Sequence, residues 1–163
     1  GSAARPGAET RFARERVSIA VDVSRDGVRI ALSEQRVRDI VRAVCRRERV
    51  KEALISVAFV RNAAIARMNR EFLGHVGATD VITFELGDAK SSARARVIVG
   101  DIYIAPDIAR RNATENRVGV REELIRVVVH GTLHVLGYTH AEGPNRTTGE
   151  MWRRQEEIVA TIV

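Results

Sequence analysis

Three of the protein's four histidines stand close together in the chain, at positions 130, 134 and 140. Residues four apart on a helix lie one turn apart on the same face, so the imidazoles of His130 and His134 can converge on one point. Gly137 then allows the chain to reverse, which lets His140 approach that point from a loop. Three neutral imidazoles suit zinc, and a three-ligand set leaves one tetrahedral position for water. The spacing therefore predicts a catalytic metal site that holds one zinc ion per chain.

The residues before this cluster predict the helix that must carry it. Residues 120–136 are mostly apolar and contain no proline, and Glu122 and Glu123 stand in the first turn, where carboxylates complement the helix dipole. Gly137 is the predicted helix stop. We therefore expect a largely buried helix with His130 and His134 near its C-terminal end.

The residue after the first histidine limits the chemistry. The spacing His-x-x-x-His-x-x-Gly-x-x-His is that of metzincin-type zinc peptidases, which place a glutamate there as general base. In this chain the position is Gly131, which cannot accept a proton. A glycine within a helix costs about 1 kcal/mol relative to alanine, so its presence indicates that something approaches the backbone closely. The sequence favours a zinc hydrolase that is not a peptidase.

The same stretch resembles the signature of the YbeY family, the metal-dependent endoribonucleases of bacterial ribosomal RNA maturation. The family pattern runs His-Gly-x-Leu-His-x-x-Gly-Tyr-Asp-His, and this chain follows it from His130 to His140 except at Thr139. Further matches follow in the family's order at Met68-Asn69, residues 79–84, residues 100–104, Met151 and Gln155-Glu156. The resemblance implies a zincin-like α+β fold, zinc held by His130, His134 and His140, and cleavage specific for single-stranded RNA.

Two segments depart from the family pattern. The family usually carries an arginine that helps to hold RNA shortly before Thr79, and the aligned residue here is Leu73. A lysine often found two residues later is His75 here, so Arg70 and His75 are the candidate substrate-binding residues. Thr139 replaces the acid before the third histidine, so any role of that carboxylate in orienting the ligand must be absent or supplied elsewhere.

Two aspartates are further candidates for catalysis. Asp80 and Asp101 are predicted at strand ends, where a carboxylate can orient a metal ligand or accept a proton. Aspartates at such positions are more often turn formers, so spacing alone does not assign them a catalytic role.

Length and composition indicate a single globular domain over residues 17–163. Residues 1–16 are polar and basic and contain Pro6 and Gly7, which predicts a disordered tail, and Gly1-Ser2 is typical of tag removal. The single cysteine, Cys45, excludes an internal disulfide and lies on an apolar helix stripe, which indicates a core residue. No signal peptide or membrane-spanning apolar run is present, so we expect a soluble cytoplasmic protein that does not bind membranes.

The charge balance favours an anionic partner. The formal net charge is +6 and the sequence pI is about 10.6, which suits RNA but also fits a coding preference for arginine over lysine. Aromatic residues make up only 4% of the chain, so a base-stacking platform is not expected. RNA would therefore be held mainly through its phosphates. The sequence leaves the oligomeric state open.

The order of predicted elements is strand, helix, strand, helix, strand, strand and three helices, which favours an α+β fold with a mixed sheet and helices mostly on one side. Ser33 and Asn62 are predicted helix caps, Gly74 a helix stop and Pro106 a first helical residue. Thr147 and Glu150 fit a capping box before a last helix. The predicted strands are 17–23, 54–60, 80–85 and 95–104, with a polar connection over residues 87–92 between the last two, which we expect to form an antiparallel hairpin.

The leading hypothesis is a zinc-dependent, single-strand-specific endoribonuclease that acts in maturation of the small-subunit ribosomal RNA 3′ end and in ribosome quality control. One alternative is a protein that binds RNA or the ribosome without catalysis, in which zinc only staples the loop at Gly137. Another is a metal hydrolase that acts on a different ester or amide. A coordinated water would favour either enzyme over the staple.

Overall fold

The computed structural model describes residues 18–92, 95–139 and 149–163 of the chain, and the predicted tail, residues 1–16, lies outside these ranges. The described elements, in chain order, are β1 (Ser18–Arg25), α1 (Glu34–Arg47), β2 (Glu52–Phe59), α2 (Asn62–Leu73), β3 (Val81–Ser92), β4 (Ala95–Ile104), α3 (Pro106–Glu115), α4 (Val120–Val135) and α5 (Glu150–Ile162). The strands form one sheet in the order β1-β2-β4-β3. β1, β2 and β4 run parallel, whereas β3 runs antiparallel to β4. The predicted α+β class with a mixed sheet is confirmed.

The two faces of the sheet are covered differently. The strand side chains that point to one face of the sheet, among them Val57, Phe59 and Ile102, are fully buried in the main core together with side chains of α1 and α4. Side chains that point to the other face, among them Ile82 and Tyr103, belong to a smaller apolar cluster beneath α2. α3 and α5 pack against α4, so most of the helical mass lies on the face that α4 covers. No helix in the described ranges is long and apolar enough to cross a membrane.

Several predicted helix boundaries are confirmed. The Ser33 hydroxyl accepts from the backbone N–H of Arg36 at 3.0 Å, Pro106 opens α3, and Gly74 ends α2 in the left-handed conformation. The prediction for Asn62 is wrong: Arg61 is the N-cap and Asn62 is the first helical residue. Its side-chain oxygen is buried and has no hydrogen-bond partner in the part of the chain that the structure describes.

Two other local predictions change. The predicted position of the last helix cap is wrong, because α5 begins at Glu150 with Gly149 as N-cap. Thr147, the other residue of the predicted capping box, lies outside the described residues. The predicted hairpin is confirmed, but the polar connection is wrong, because β3 continues through residues 87–92 and pairs with β4. A register shift between Glu85 and Asp88 interrupts this pairing. Pairing with β4 satisfies backbone groups that a loop would expose to water, which outweighs the weak strand propensity of glycine and aspartate.

Two glycines allow α4 to lie directly on the sheet. A Cβ added at Gly131 would come within 2.8 Å of Ile102 Cγ2 and 3.4 Å of Val81 Cγ2. On β4, a Cβ at Gly100 would collide with the side chain of Val135. The close approach that Gly131 predicts is therefore an approach of the sheet. This close packing fixes the distance between α4 and the sheet, and therefore the positions of His130 and His134, which stand on either side of Gly131 in the helix.

Candidate metal centre

α4 places His130 and His134 side by side near its C-terminal end. Their ring centroids lie 4.8 Å apart and the ring planes meet at 78°. Both residues are half-buried, at the border between the core and solvent. Glu122 and Glu123 in the first turn complement the helix dipole at the start of α4. Buried apolar residues along its length anchor the helix to the core, so it extends as far as the histidines. The two imidazoles are therefore neighbours on α4, as their spacing of four residues predicts.

The ring of His130 is oriented by a residue of α5. Its Nδ1 lies 2.6 Å from Gln155 Oε1, and Gln155 is only 2% exposed. An amide oxygen can only accept, so Nδ1 is the ring nitrogen that carries hydrogen. The lone pair that can bind a metal is then on Nε2.

The ring of His134 is oriented by the backbone of the turn that follows α4. Its Nδ1 lies 3.0 Å from the carbonyl oxygen of Tyr138, which again assigns hydrogen to Nδ1 and the lone pair to Nε2. The turn is a Schellman motif: the N–H of Tyr138 donates to the Leu133 carbonyl and the N–H of Gly137 to the His134 carbonyl. Gly137 has φ +106°, a conformation that residues with a Cβ rarely adopt. The predicted helix stop therefore also positions a metal-binding side chain.

A polar cluster fastens this turn to the rest of the fold. The Tyr138 hydroxyl donates to Glu48 Oε2 at 2.8 Å, and Arg154 of α5 donates to the other oxygen of the same carboxylate. Burial, followed by the hydrogen bond to Glu48, raises the pKa of Tyr138 above its ordinary value. The tyrosine therefore remains a neutral donor at physiological pH, and it joins the turn to α1 and α5 at once.

These contacts fit a metal centre. Two imidazoles, each with an acceptor on Nδ1, present Nε2 lone pairs from one helix face, which is the usual arrangement of metal-binding histidines. The third predicted ligand, His140, lies outside the described residues, and the described residues contain no group of three or more side chains able to hold a metal. The segment that leads to it ends at Thr139, whose side chain is exposed.

The two candidate aspartates are not equivalent in the fold. Asp101 lies within β4 rather than at its end, and it accepts a hydrogen bond from Ser56 at 2.6 Å. Its neighbours in β4, Gly100 and Ile102, face α4, so Asp101 points to the other side of the sheet, away from the histidines. Asp80 immediately precedes Val81, the first residue of β3, whose side chain lies against Gly131 of α4 next to His130. The geometry favours Asp80 over Asp101 as a carboxylate of the site.

The candidate substrate-binding residues lie on the α2 side of the sheet. Arg70 is exposed in the last turn of α2, and His75 is exposed in the loop that follows. At the position where the family carries arginine the surface is apolar, with Phe72 65%, Leu73 45% and Val76 96% exposed. This loop leads to Val81 beside α4, so it joins the α2 side of the sheet to the edge of the helix that carries the histidines.

Glu123 was not singled out as a site residue by the sequence, yet it lies on the same face of α4 as His130 and His134. It is 7% exposed and pairs with Arg126 at 3.7 Å. Burial raises the pKa of Glu123; the Arg126 guanidinium opposes this, and the negative charge of Asp80 adds to it. The sequence could have indicated this, because Glu123 stands seven residues, or about two helical turns, before His130 and therefore lies on the same helix face.

The raised pKa of Glu123 predicts a pH-dependent effect of Glu123→Gln. The native state holds this proton more tightly than the unfolded chain does, so the stability contributed by Glu123 is present at low pH and is lost as pH rises through the folded pKa. We expect the variant to gain stability over wild type as pH rises from the ordinary pKa of glutamate through the higher pKa that Glu123 has in the fold, and to gain little below that window. Denaturant unfolding at several pH values measures the difference. Glu122→Gln, which also contacts Arg126, is the control, and an equal gain at every pH would contradict the assignment.

Comparison with known proteins confirms the family resemblance. Residues 20–163 match the family described as Endoribonuclease YbeY. A protein of that name from Syntrophus aciditrophicus is 31% identical over 144 residues, which cover 88% of this chain and 90% of that protein. Another from Desulfitobacterium hafniense is 36% identical over 129 residues, which cover 76% and 80% of the two chains. The solution structure of a Thermotoga maritima protein, at 24% identity, shares the fold with a TM-score of 0.57 over 87% of this chain and 88% of that one. The chain therefore belongs to the endoribonuclease YbeY family, hydrolases that cleave RNA internally.

Proposed function

We propose that this protein is a zinc-dependent endoribonuclease specific for single-stranded RNA, with one zinc ion held by His130, His134 and His140. The observation that carries the proposal is the pair of imidazoles on α4, each with an acceptor at Nδ1, so that both Nε2 lone pairs serve a metal. Membership of the family adds RNA as the substrate.

Zinc, when bound, would lower the pKa of a water ligand to about 7 and polarise a phosphoryl oxygen. The chain's own residues would hold the ion and orient its ligands. His130 is fixed by Gln155 and His134 by the Tyr138 carbonyl, so neither ring must reorganise during the reaction. Asp80 is the proposed proton acceptor, because it immediately precedes Val81, which lies against Gly131 beside His130.

The substrate would be an unpaired segment of ribosomal RNA. The reactive phosphate must bend toward an ion at the C-terminal end of α4, which paired A-form RNA resists. Arginines supply the net charge of +6, and Arg70 with His75 are the proposed contacts beside the site. We propose the 3′ end of the small-subunit RNA as the target, with a further role in ribosome quality control. Both roles would be exercised on ribosomes in the cytoplasm.

The experiment compares two RNAs of the same sequence with the zinc-loaded protein. One is a labelled single strand that resembles the small-subunit RNA 3′ end, and the other is the same strand annealed to its complement. The proposal predicts internal cleavage of the first and little of the second. Binding of zinc and of RNA without any cleavage would instead support the non-catalytic, zinc-stapled protein, and hydrolysis of other esters alone would support a different metal hydrolase.

A further inference from the structure

The partner of His130 is an unusual residue for its position. The buried face of α5 consists of Met151, Gln155, Ile158 and Val159, so Gln155 is the one polar member of an otherwise apolar face. It is 2% exposed, in a place where an uncompensated amide would cost free energy. Its oxygen instead lies 2.6 Å from His130 Nδ1. Packing alone would be served better by leucine, so the contact with His130 is what offsets the cost of burying an amide here.

α5, which carries Gln155, is held against α4 by Glu156, the residue that follows Gln155. Glu156 accepts two hydrogen bonds from Arg126 of α4, at 2.9 Å from Nε and 3.2 Å from Nη2. Such paired bonds between a guanidinium and a carboxylate fix both distance and orientation. Arg126 stands one turn before His130 on α4, and Glu156 directly follows Gln155 on α5. The Arg126–Glu156 pair therefore joins α4 to α5 beside the contact between Gln155 and His130. Gln155 is therefore presented to His130 from a rigid support.

The chemical nature of the acceptor also matters. A carboxylate at this position would add a negative charge beside the imidazole and increase the ligand's basicity, whereas an amide oxygen directs the ring without adding charge. An amide therefore leaves more positive charge on a bound ion. This favours activation of a water ligand and attraction of a phosphate.

We propose that Gln155 is a positioning residue for the metal centre: its amide oxygen holds His130 in the tautomer with hydrogen on Nδ1 and aims Nε2 at the ion. The inference rests on the proposed zinc site. It adds that a residue of α5, 25 positions along the chain from His130, determines the affinity of that site.

The test uses Gln155→Leu, which replaces the amide with an apolar side chain of similar size and so removes the acceptor, and Gln155→Glu, which keeps an acceptor. Ile158→Val, on the same buried face of α5, is the control for lost packing. Zinc affinity is measured by competition with a chelator, and the His130 tautomer by ¹⁵N NMR of the metal-free protein at fixed pH. We expect Gln155→Leu to bind zinc about 10- to 100-fold more weakly and to lose the Nδ1-protonated tautomer of His130. Gln155→Glu should retain that tautomer and bind zinc at least as tightly as wild type, because the added negative charge makes His130 a more basic ligand.

The possible failures are distinguishable. If wild-type protein does not bind zinc, the proposed metal site is wrong, whatever the variants do. If wild type binds zinc and Gln155→Leu binds it equally well, the positioning role is overturned while the metal site stands. If Ile158→Val weakens zinc binding as much as Gln155→Leu and the tautomer does not change, Gln155 contributes packing only, which also overturns the proposal.

Discussion

Replacement of His134 by alanine is expected to abolish both zinc binding and RNA cleavage. The variant loses one of the two neighbouring imidazoles on α4, whose rings lie 4.8 Å apart. A catalytic ion contributes several kcal/mol of transition-state stabilisation, so we expect cleavage to fall by about a thousandfold or more. Zinc content by mass spectrometry and the initial rate on a labelled single strand measure the two effects.

The matched control for this variant is His75→Ala. His75 is an exposed histidine in the loop after α2, and its backbone N–H bonds to the Asn69 carbonyl, which the substitution retains. It should keep stoichiometric zinc and lose cleavage only through weaker RNA binding, as a higher KM with kcat unchanged. Equal loss of zinc in both variants would contradict the assignment, because it would mean that zinc binds without regard to the α4 face.

The second large effect is expected from Gly137→Ala. Gly137 has φ +106°, which alanine adopts only with strain, and nothing lies within 4 Å of an added Cβ, so the strain comes from the backbone alone. Relief of that strain would move the Tyr138 carbonyl away from His134 and displace the segment that leads to His140. We expect a loss of about 1 kcal/mol or more in the free energy of unfolding and at least a tenfold loss of zinc affinity.

Gly74→Ala separates these two consequences. Gly74 also ends a helix with positive φ, at +66°, and an added Cβ there also meets nothing within 4 Å. Its substitution should lower stability by a similar or smaller amount and leave zinc affinity unchanged. If both variants bind zinc as wild type does, the turn at Gly137 does not position the site.

The parts of the fold that the sequence predicts correctly are those governed by local chemistry. The Ser33 cap, the Pro106 start and the glycine stops at positions 74 and 137 each follow from the conformational preference of one residue and its nearest neighbours. The pairing of two histidines on α4 follows from helical periodicity alone. Where tertiary pairing competes with propensity the predictions fail, as in β3, where pairing with β4 extends the strand through the predicted connection.

The contacts that orient the site could not be predicted, because they join distant segments. Gln155 meets His130 across 25 positions, and Glu48 meets Tyr138 across 90. The placement of Asp101 could have been inferred from strand alternation, since its neighbour Ile102 is an evident core residue and successive side chains face opposite ways. Treating Asp101 as a strand-end residue hid that signal.

The most direct test of the metal-dependent ribonuclease is a zinc titration of metal-free wild-type protein, with cleavage of the labelled single strand recorded at each addition. The account predicts no cleavage without metal and a rate that rises in proportion to zinc until one equivalent per chain is bound. Full cleavage by protein shown to contain no metal would contradict it. In that case the histidines of α4 would have to act as proton-transfer groups or as structural residues.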